Sequence, residues 1–228
     1  GYVASEITKN GGIAICARAS PETPTATAIC EGGHRDRALI EYRVRSTDLF
    51  DRISIGGVPD VRIIVLKGYP VAAMLRLPTR QSDGKANLHQ GAIGVGVDIA
   101  TGVTLSGTWH NLKIDRHPDT AHPVAGVQIP DWEACLELAA RCYELTGLGY
   151  LGVDLVMDKH KGPLMLELNA RPGLNIQIAN DDGLLRRCRI VEDHLDGLDW
   201  NLEPVARRLM LSKREFAVAR LPETPEAP

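Results

Sequence analysis

No charge of one sign dominates this sequence: its 228 residues carry 26 Lys and Arg against 29 Asp and Glu, a formal net charge of -3 with the signs interspersed. That balance leaves no electrostatic footprint for nucleic acid or for an anionic membrane surface. No apolar run approaches the ~20 residues that span a bilayer. The opening GYVASEITKN lacks both an initiating Met and the basic-then-apolar order of a signal peptide, so it reads as a piece cut from a longer chain. There is no Cys-x-x-Cys pair, and the five cysteines (Cys16, Cys30, Cys135, Cys142, Cys188) are odd in number and widely spaced. This pattern argues against a disulfide framework. The cysteines read as small core residues in a reducing, cytoplasmic compartment. Repeats and low-complexity blocks are also absent, and no Ser/His/Asp or Cys/His constellation has local sequence support.

What is present fits a globular chain. With 44% apolar and 24% charged residues, the length suits one large domain, or a domain with a smaller lobe, that folds without disulfide or metal staples. Short β-prone pieces, GGIAICA and TATAIC, precede a strand predicted over ALIEYRV. STDLFDRISIGGVPD reads as a polar connection, and VRIIVLKGYPVAAMLRLPT as two strands about a turn at Lys67–Pro70. After the polar loop RQSDGKANLHQG, a second hairpin turns at Ala100–Gly102. A long loop from Asn111 to Pro130 leads to the helix DWEACLELAARCYELTG, with Asp131 as its expected cap and Gly147 as its stop. Its apolar positions recur at three and four, so one face packs on the sheet. A strand–turn–strand over YLGVDLVMDKHKGPLMLELNARPG and two helices, GLLRRCRIVEDHL and EPVARRLMLSKREF, complete an α+β chain of antiparallel hairpins with helices on one side; the tail LPETPEAP reads as disordered.

The hairpin from Tyr150 to Asn169 holds the most specific chemistry. With the turn at Lys159–Gly162 and Asp158 facing Pro163, counting back sets Asp154 opposite Glu167, with Asn169 on the same face. Leu164, Leu166 and Leu168 then serve the core. Like charges facing each other across a sheet repel, by roughly 0.2–1 kcal/mol when exposed and more when buried. Two carboxylates and an amide carbonyl form an all-oxygen set that Mg²⁺ or Mn²⁺ prefers, and that cation would offset the repulsion. The alternative is a solvated face on which both acids simply meet water.

GVDLVMD followed by LMLELNARPG resembles the metal-binding signature of ATP-grasp carboxylate–amine ligases, especially the RimK-type and alpha-L-glutamate ligase-related proteins. ALIEYRV resembles their hinge strand, GGVPDVRIIVLKGYPVAAMLRLPT their Asp-x-Arg strand and the Arg-bearing strand after it, and KANLHQGAIGVGV their Asn-Leu-His-Arg-Gly-Gly loop. The likeness runs in order from about Leu39 to Asn180. It implies an ATP-grasp fold with a partial lid subdomain and hinge over residues 1–44, a metal-bearing lobe over 45–200, and a helix and disordered tail over 201–228. It also implies ATP and Mg²⁺ (or Mn²⁺) as cofactors, with amide formation between a carboxylate and an amine through an acyl phosphate, glutamate being one candidate substrate.

Carried over residue by residue, the resemblance gives Asp154, Glu167 and Asn169 as metal ligands bridging the nucleotide phosphates. Arg76 would sit at the γ-phosphate and acyl phosphate, and Arg171 at the substrate carboxylate or phosphate. Glu41, Tyr42 and Val44 would form the base-contacting hinge, with Lys9 reaching a nucleotide phosphate and Asn87 the nucleotide or the substrate end, and Asp60 and Arg62 would line the acceptor side. His89 either touches substrate or caps a turn.

Two departures stand out. Ser5-Glu6 falls where the family has Lys-Pro in its nucleotide lid, and Gln90 replaces the basic residue of the Asn-Leu-His-Arg loop. The family's preceding α/β domain is not in these 228 residues, so a missing N-terminal domain or a homo-oligomer is the expected complement. The partners are small-molecule or peptide carboxylates and amines. A non-catalytic nucleotide-binding module derived from the fold is the alternative, and a metal-dependent hydrolase a third reading. Gly91, Gly94 and Gly96 do not open a helix and so do not form a dinucleotide loop. His110, His117 and His122 read as solvated loop residues, and Arg186 to Arg189 as a solvated helix face.

Overall fold

The computed structural model describes residues 42–196 and 203–218, together with the strand backbones at 15–16, 25–29 and 35–39. The chain divides into two compact units, Gly1–Arg43 and Val44–Pro228. The first carries a three-stranded antiparallel sheet of β1 (Ile15–Cys16), β2 (Thr25–Ile29) and β3 (Arg35–Leu39), in that order. The predicted strand over ALIEYRV is displaced: β3 ends at Leu39, and Tyr42–Arg45 is irregular. Ser46, at the start of the second unit, makes one isolated bridge to Asp158, and the Arg45 amide donates to the Asp158 carboxylate at 2.8 Å.

In the second unit the segment expected to be a polar connection contains α1 (Asp48–Ile53). Thr47 accepts a capping bond from the Phe50 amide at 3.4 Å, and Phe50 and Ile53 are buried. Two buried positions three apart are too brief a pattern to separate from a loop.

The main sheet has seven antiparallel strands in the order β10-β9-β4-β5-β6-β7-β8. They are β4 (Asp60–Leu66), β5 (Tyr69–Leu77), β6 (Ile93–Val97), β7 (Thr104–Trp109), β8 (Leu112–Ile114), β9 (Tyr150–Asp158) and β10 (Gly162–Asn169). Both hairpin turns fall where the turn residues indicated. Lys67 and Gly68 both take positive φ, the geometry that matches strand twist in a two-residue turn. Asp98 secures the other turn by accepting from the Ala100 amide and the Thr101 hydroxyl. β8 is a short strand inside the stretch read as a long loop.

Helix α2 (Trp132–Thr146) ends at Gly147 as expected, with φ 67° and its amide bonded to the Tyr143 carbonyl. Asp131, however, is left-handed at φ 49° and makes no side-chain capping bond. Its Trp132, Cys135, Leu136, Ala139 and Cys142 are buried, and the Cys135 sulfur lies 3.6 Å from that of Met157. α2 therefore covers the face carrying Met157, Leu155, Val153, Val61 and Ile63, and α5 (Val205–Glu215) packs beside it. α3 (Ile176–Asn180), absent from the sequence reading, lies on the opposite face, over β5, β6 and β7, so the helices are not confined to one side. α4 (Leu184–Leu195) carries Arg187, which is buried rather than solvated: its guanidinium donates to the Val71 carbonyl and Asp182 and lies over the Phe216 ring.

Candidate active site

Paired residues of an antiparallel sheet share a face. One row across the sheet runs Glu167, Asp154, Arg62, Met74, Gly96, and the next runs Val156, Asp60, Arg76, Gly94, Thr108. The charged half of these rows lies over β10, β9, β4 and β5. The glycine half is where the face is covered: a Cβ at Gly96 would come within 2.4 Å of the Ala179 carbonyl oxygen, and one at Gly94 within 2.9 Å of a Leu88 methyl. Glycine at both positions lets α3 and the 3₁₀ turn Leu88–Gln90 sit directly on the sheet. Gly152 does the same for the Arg171-Pro172-Gly173 stop, since its Cβ would meet the Pro172 ring at 2.7 Å.

Asp154 faces Glu167 as expected, but the counting that gave this pair was off by one residue at the turn. Gly162, not Pro163, pairs with Asp158, and an extra residue is accommodated between Met165 and Glu167. This β-bulge brings the pairing back into the anticipated register. It also undoes the alternation at Leu166, which is 55% exposed and lines the same cavity as Glu167 instead of serving the core. β10 is an edge strand, and Leu164 and Leu168 are only partly buried.

The centre of the site is a ladder of alternating charges. Arg62 donates from Nε and Nη2 to the two oxygens of Asp154 at 2.7 Å each, and Arg76 Nη2 donates to the same carboxylate at 2.8 Å. Arg76 also forms a bidentate pair with Asp60. Asp154, Asp60 and Arg76 are 2%, 4% and 9% exposed. Burial pushes the Asp60 carboxyl up to about 6, with the Asp154 charge adding to the rise while Arg76 and Arg62 oppose it. Burial would lower the Arg76 guanidinium, but the bonds and charges of Asp60 and Asp154 hold it above its ordinary value.

A cavity of about 640 Å³ opens over this ladder. Of the predicted positions, its wall includes Asp60, Arg62, Arg76, Asp154, Glu167 and Asn169, joined by Val44, Asn87 and His89. Arg171 is exposed and lies off the wall, its amide bonded to the Asn169 side chain at 2.9 Å. Tyr42 belongs to the first unit and is half exposed. Lys9, Glu41 and Ser5-Glu6 lie outside the described residues. Asn87, rather than His89, caps the 3₁₀ turn, accepting from the His89 amide at 3.0 Å, which leaves the imidazole exposed. Gln90 is exposed and off the wall. Sequence reasoning missed Lys85, a cation on this wall. Its only signal was its place two residues before Asn87.

The oxygen donors fit a hard cation in part. The Glu167 carboxylate has no ion-pair partner among the described residues, and Asn169 keeps a lone pair beside its bond to the Arg171 amide. Asp154 is committed to two guanidiniums, so the repulsion expected between it and Glu167 is already offset by arginine and does not by itself require a metal. Among the described residues no group of three or more His, Cys, Asp or Glu side chains is arranged to hold an ion. His117 is buried in its loop, with Nε2 bonded to the Pro78 carbonyl at 2.9 Å and Nδ1 accepting from the Asp119 and Thr120 amides.

An antiparallel α+β lobe with carboxylate, amide and guanidinium groups gathered over one end of its sheet is an ATP-grasp architecture. The family described as sugar-transfer associated ATP-grasp matches residues 25–193, and the chain belongs to it. A probable alpha-L-glutamate ligase from Maridesulfovibrio salexigens is 29% identical over 122 residues, 54% of this chain. The aligned part is 29% of that relative's length. Among the described residues no helix is long and apolar enough to cross a membrane.

Proposed function

We propose that this chain carries the catalytic lobe of an ATP- and Mg²⁺-dependent ligase that joins a carboxylate to an amine through an acyl phosphate. The observation that carries this reading is the juxtaposition, in one cavity, of the buried Arg76 and the partly buried Arg62 with the oxygen donors of Glu167, Asp154 and Asn169. Membership of the ATP-grasp family and similarity to a probable alpha-L-glutamate ligase support it.

In this mechanism Arg76, pinned by Asp60 and Asp154, presents a fixed positive charge to the transferring phosphoryl group. Arg62, held by Asp154 through Nε and Nη2, would line the acceptor side. Glu167 and Asn169, with Asp154 once it releases an arginine bond, would hold Mg²⁺, which neutralises phosphate charge when bound. The substrate carboxylate attacks the γ-phosphorus and ADP leaves. The amine then displaces phosphate, losing a proton as the amide forms. Positioning and charge neutralisation do most of the work, because phosphoryl transfer needs little covalent help. Glutamate is the first donor to try, on the strength of the relative's name.

The test replaces the amine with hydroxylamine. ATP, Mg²⁺ and a pool of carboxylic acids should yield a hydroxamate in step with ADP. ADP formation without hydroxamate, at the same rate with and without carboxylate, would refute the acyl phosphate.

A further inference from the structure

Beside the charged cavity lies a small space of about 40 Å³, a neck that shares Arg62, Arg76, Asn87 and His89 with the wall of that cavity. Beyond Leu88, His89 and Asn175 a second cavity of about 370 Å³ opens toward the β7–β8 turn. The two spaces differ in chemistry. The second is walled by the amides of Asn111 and Asn175, the imidazoles of His89 and His110, the Thr108 hydroxyl and an apolar side including Ile178, with no carboxylate, ammonium or guanidinium.

Its polar groups have bonding capacity to spare. Asn175 stands at the start of α3 yet makes no capping bond, and neither its amide nor that of Asn111 is engaged elsewhere among the described residues. Thr108 gives its proton to the Gly94 carbonyl at 3.2 Å, which leaves its oxygen as an acceptor. His110 is fixed through Nε2 by the Gln81 side chain at 2.9 Å and by the Trp109 ring, leaving Nδ1 open.

The backbone also holds this wall in an uncommon form. His110 and Asn111 are the two residues between the paired Trp109 and Leu112, with φ 50° and 64°. That turn type is dominated by Asn, Asp and Gly, and His is among the other residues that tolerate positive φ.

We infer that the second cavity takes the uncharged, hydroxyl- and amide-bearing remainder of the acceptor, whose amine reaches the charged cavity through the neck. This rests on the ligase reading above. A carboxylate or phosphate here would meet two imidazoles but no ammonium or guanidinium on the wall, and an ammonium would meet no carboxylate. Hydroxyl and amide groups would find both donors and acceptors, and the Ile178 side offers a surface for carbon.

The probe is N-acetylglucosamine, an uncharged molecule bearing hydroxyl and amide groups, compared with glutamate and inorganic phosphate. In the ¹⁵N-labelled full chain, the neutral probe should saturably shift the side-chain amide signals of Asn111 and Asn175. Asn175→Leu should weaken that binding by about fivefold to tenfold, the worth of roughly one hydrogen bond, with the backbone spectrum of the sheet preserved. Thr108→Val should weaken it in the same direction, which keeps the test valid if Asn175→Leu misfolds. If the neutral probe shifts neither signal, or if glutamate or phosphate shifts them at lower concentration, the inference is overturned. The measurement needs no turnover. Neutral-probe binding in a protein that forms no hydroxamate would support the cavity's chemistry while sinking the ligase reading, so the two failures are distinguishable.

Discussion

At Asp154 two guanidiniums meet one carboxylate, while Asp60 has Arg76 as its sole ion-pair partner among the described residues. For Asp60 it is burial, opposed by Arg76, that sets the response to acid. Asp60 sits at about 6 in the fold because burial disfavours its charge, against about 4 for an exposed aspartate. The folded protein therefore holds a proton between those values that the unfolded chain gives up. The contribution of Asp60 to stability is full below pH 4 and is lost as the pH rises through 6. We predict that the stability difference between wild type and Asp60→Asn, from urea midpoints, shifts by about 1–3 kcal/mol toward wild type as the pH is lowered from 7 to 4.5. A pH-independent difference would show that Arg76 keeps Asp60 ionised throughout. The residue types of this ladder were legible in the sequence, since Asp60, Arg62, Arg76 and Asp154 all belong to recognisable motifs. Their mutual pairing was not, because it depends on which strands lie side by side. β9 joins β4 across more than eighty residues of intervening chain.

Among the elements, α3 is the one that shapes the site without having been visible. Five residues, with Ile176 and Ala179 buried, carry too little periodicity to stand out. Gly94 and Gly96 were read as part of a β pattern, and they lie in β6, but their use as landing space for a helix needed the tertiary structure. Gly96→Ala should force α3 off the sheet, because the new methyl would sit 2.4 Å from the Ala179 carbonyl oxygen, a backbone atom that cannot rotate aside. The expected cost is about 1–3 kcal/mol, as for other overpacked sites, read as a lower thermal midpoint with loss of the Asn175 amide shifts described above. An unchanged midpoint would mean that α3 sits less firmly than its contacts indicate. The hairpin of β9 and β10 gives the complementary lesson. Hydrophobic alternation and a turn signal located both strands, and Asp154 does face Glu167. A bulge, however, has no sequence signature of its own, so Leu166 was assigned to the core when it lines the cavity.

For the molecule as a whole, the α+β class and the ATP-grasp family were legible because motif order survives where single motifs are ambiguous. The region carrying the altered lid positions, Ser5-Glu6 and Lys9, lies outside the described residues, and the chain spans under a third of the length of the curated relative it matches. Activity therefore has to be read from the chain itself. The central claim is that the cavity over Asp154 and Glu167 couples ATP cleavage to the joining of two substrates. The direct measurement is ADP release by the full 228-residue chain with ATP and Mg²⁺, supplied with a pool of carboxylic acids, a pool of primary amines, or both, alongside Glu167→Ala. Fast release that requires both pools and Mg²⁺, and that disappears in Glu167→Ala, is the predicted result. Release that ignores both pools, or that survives intact in Glu167→Ala, would contradict the account.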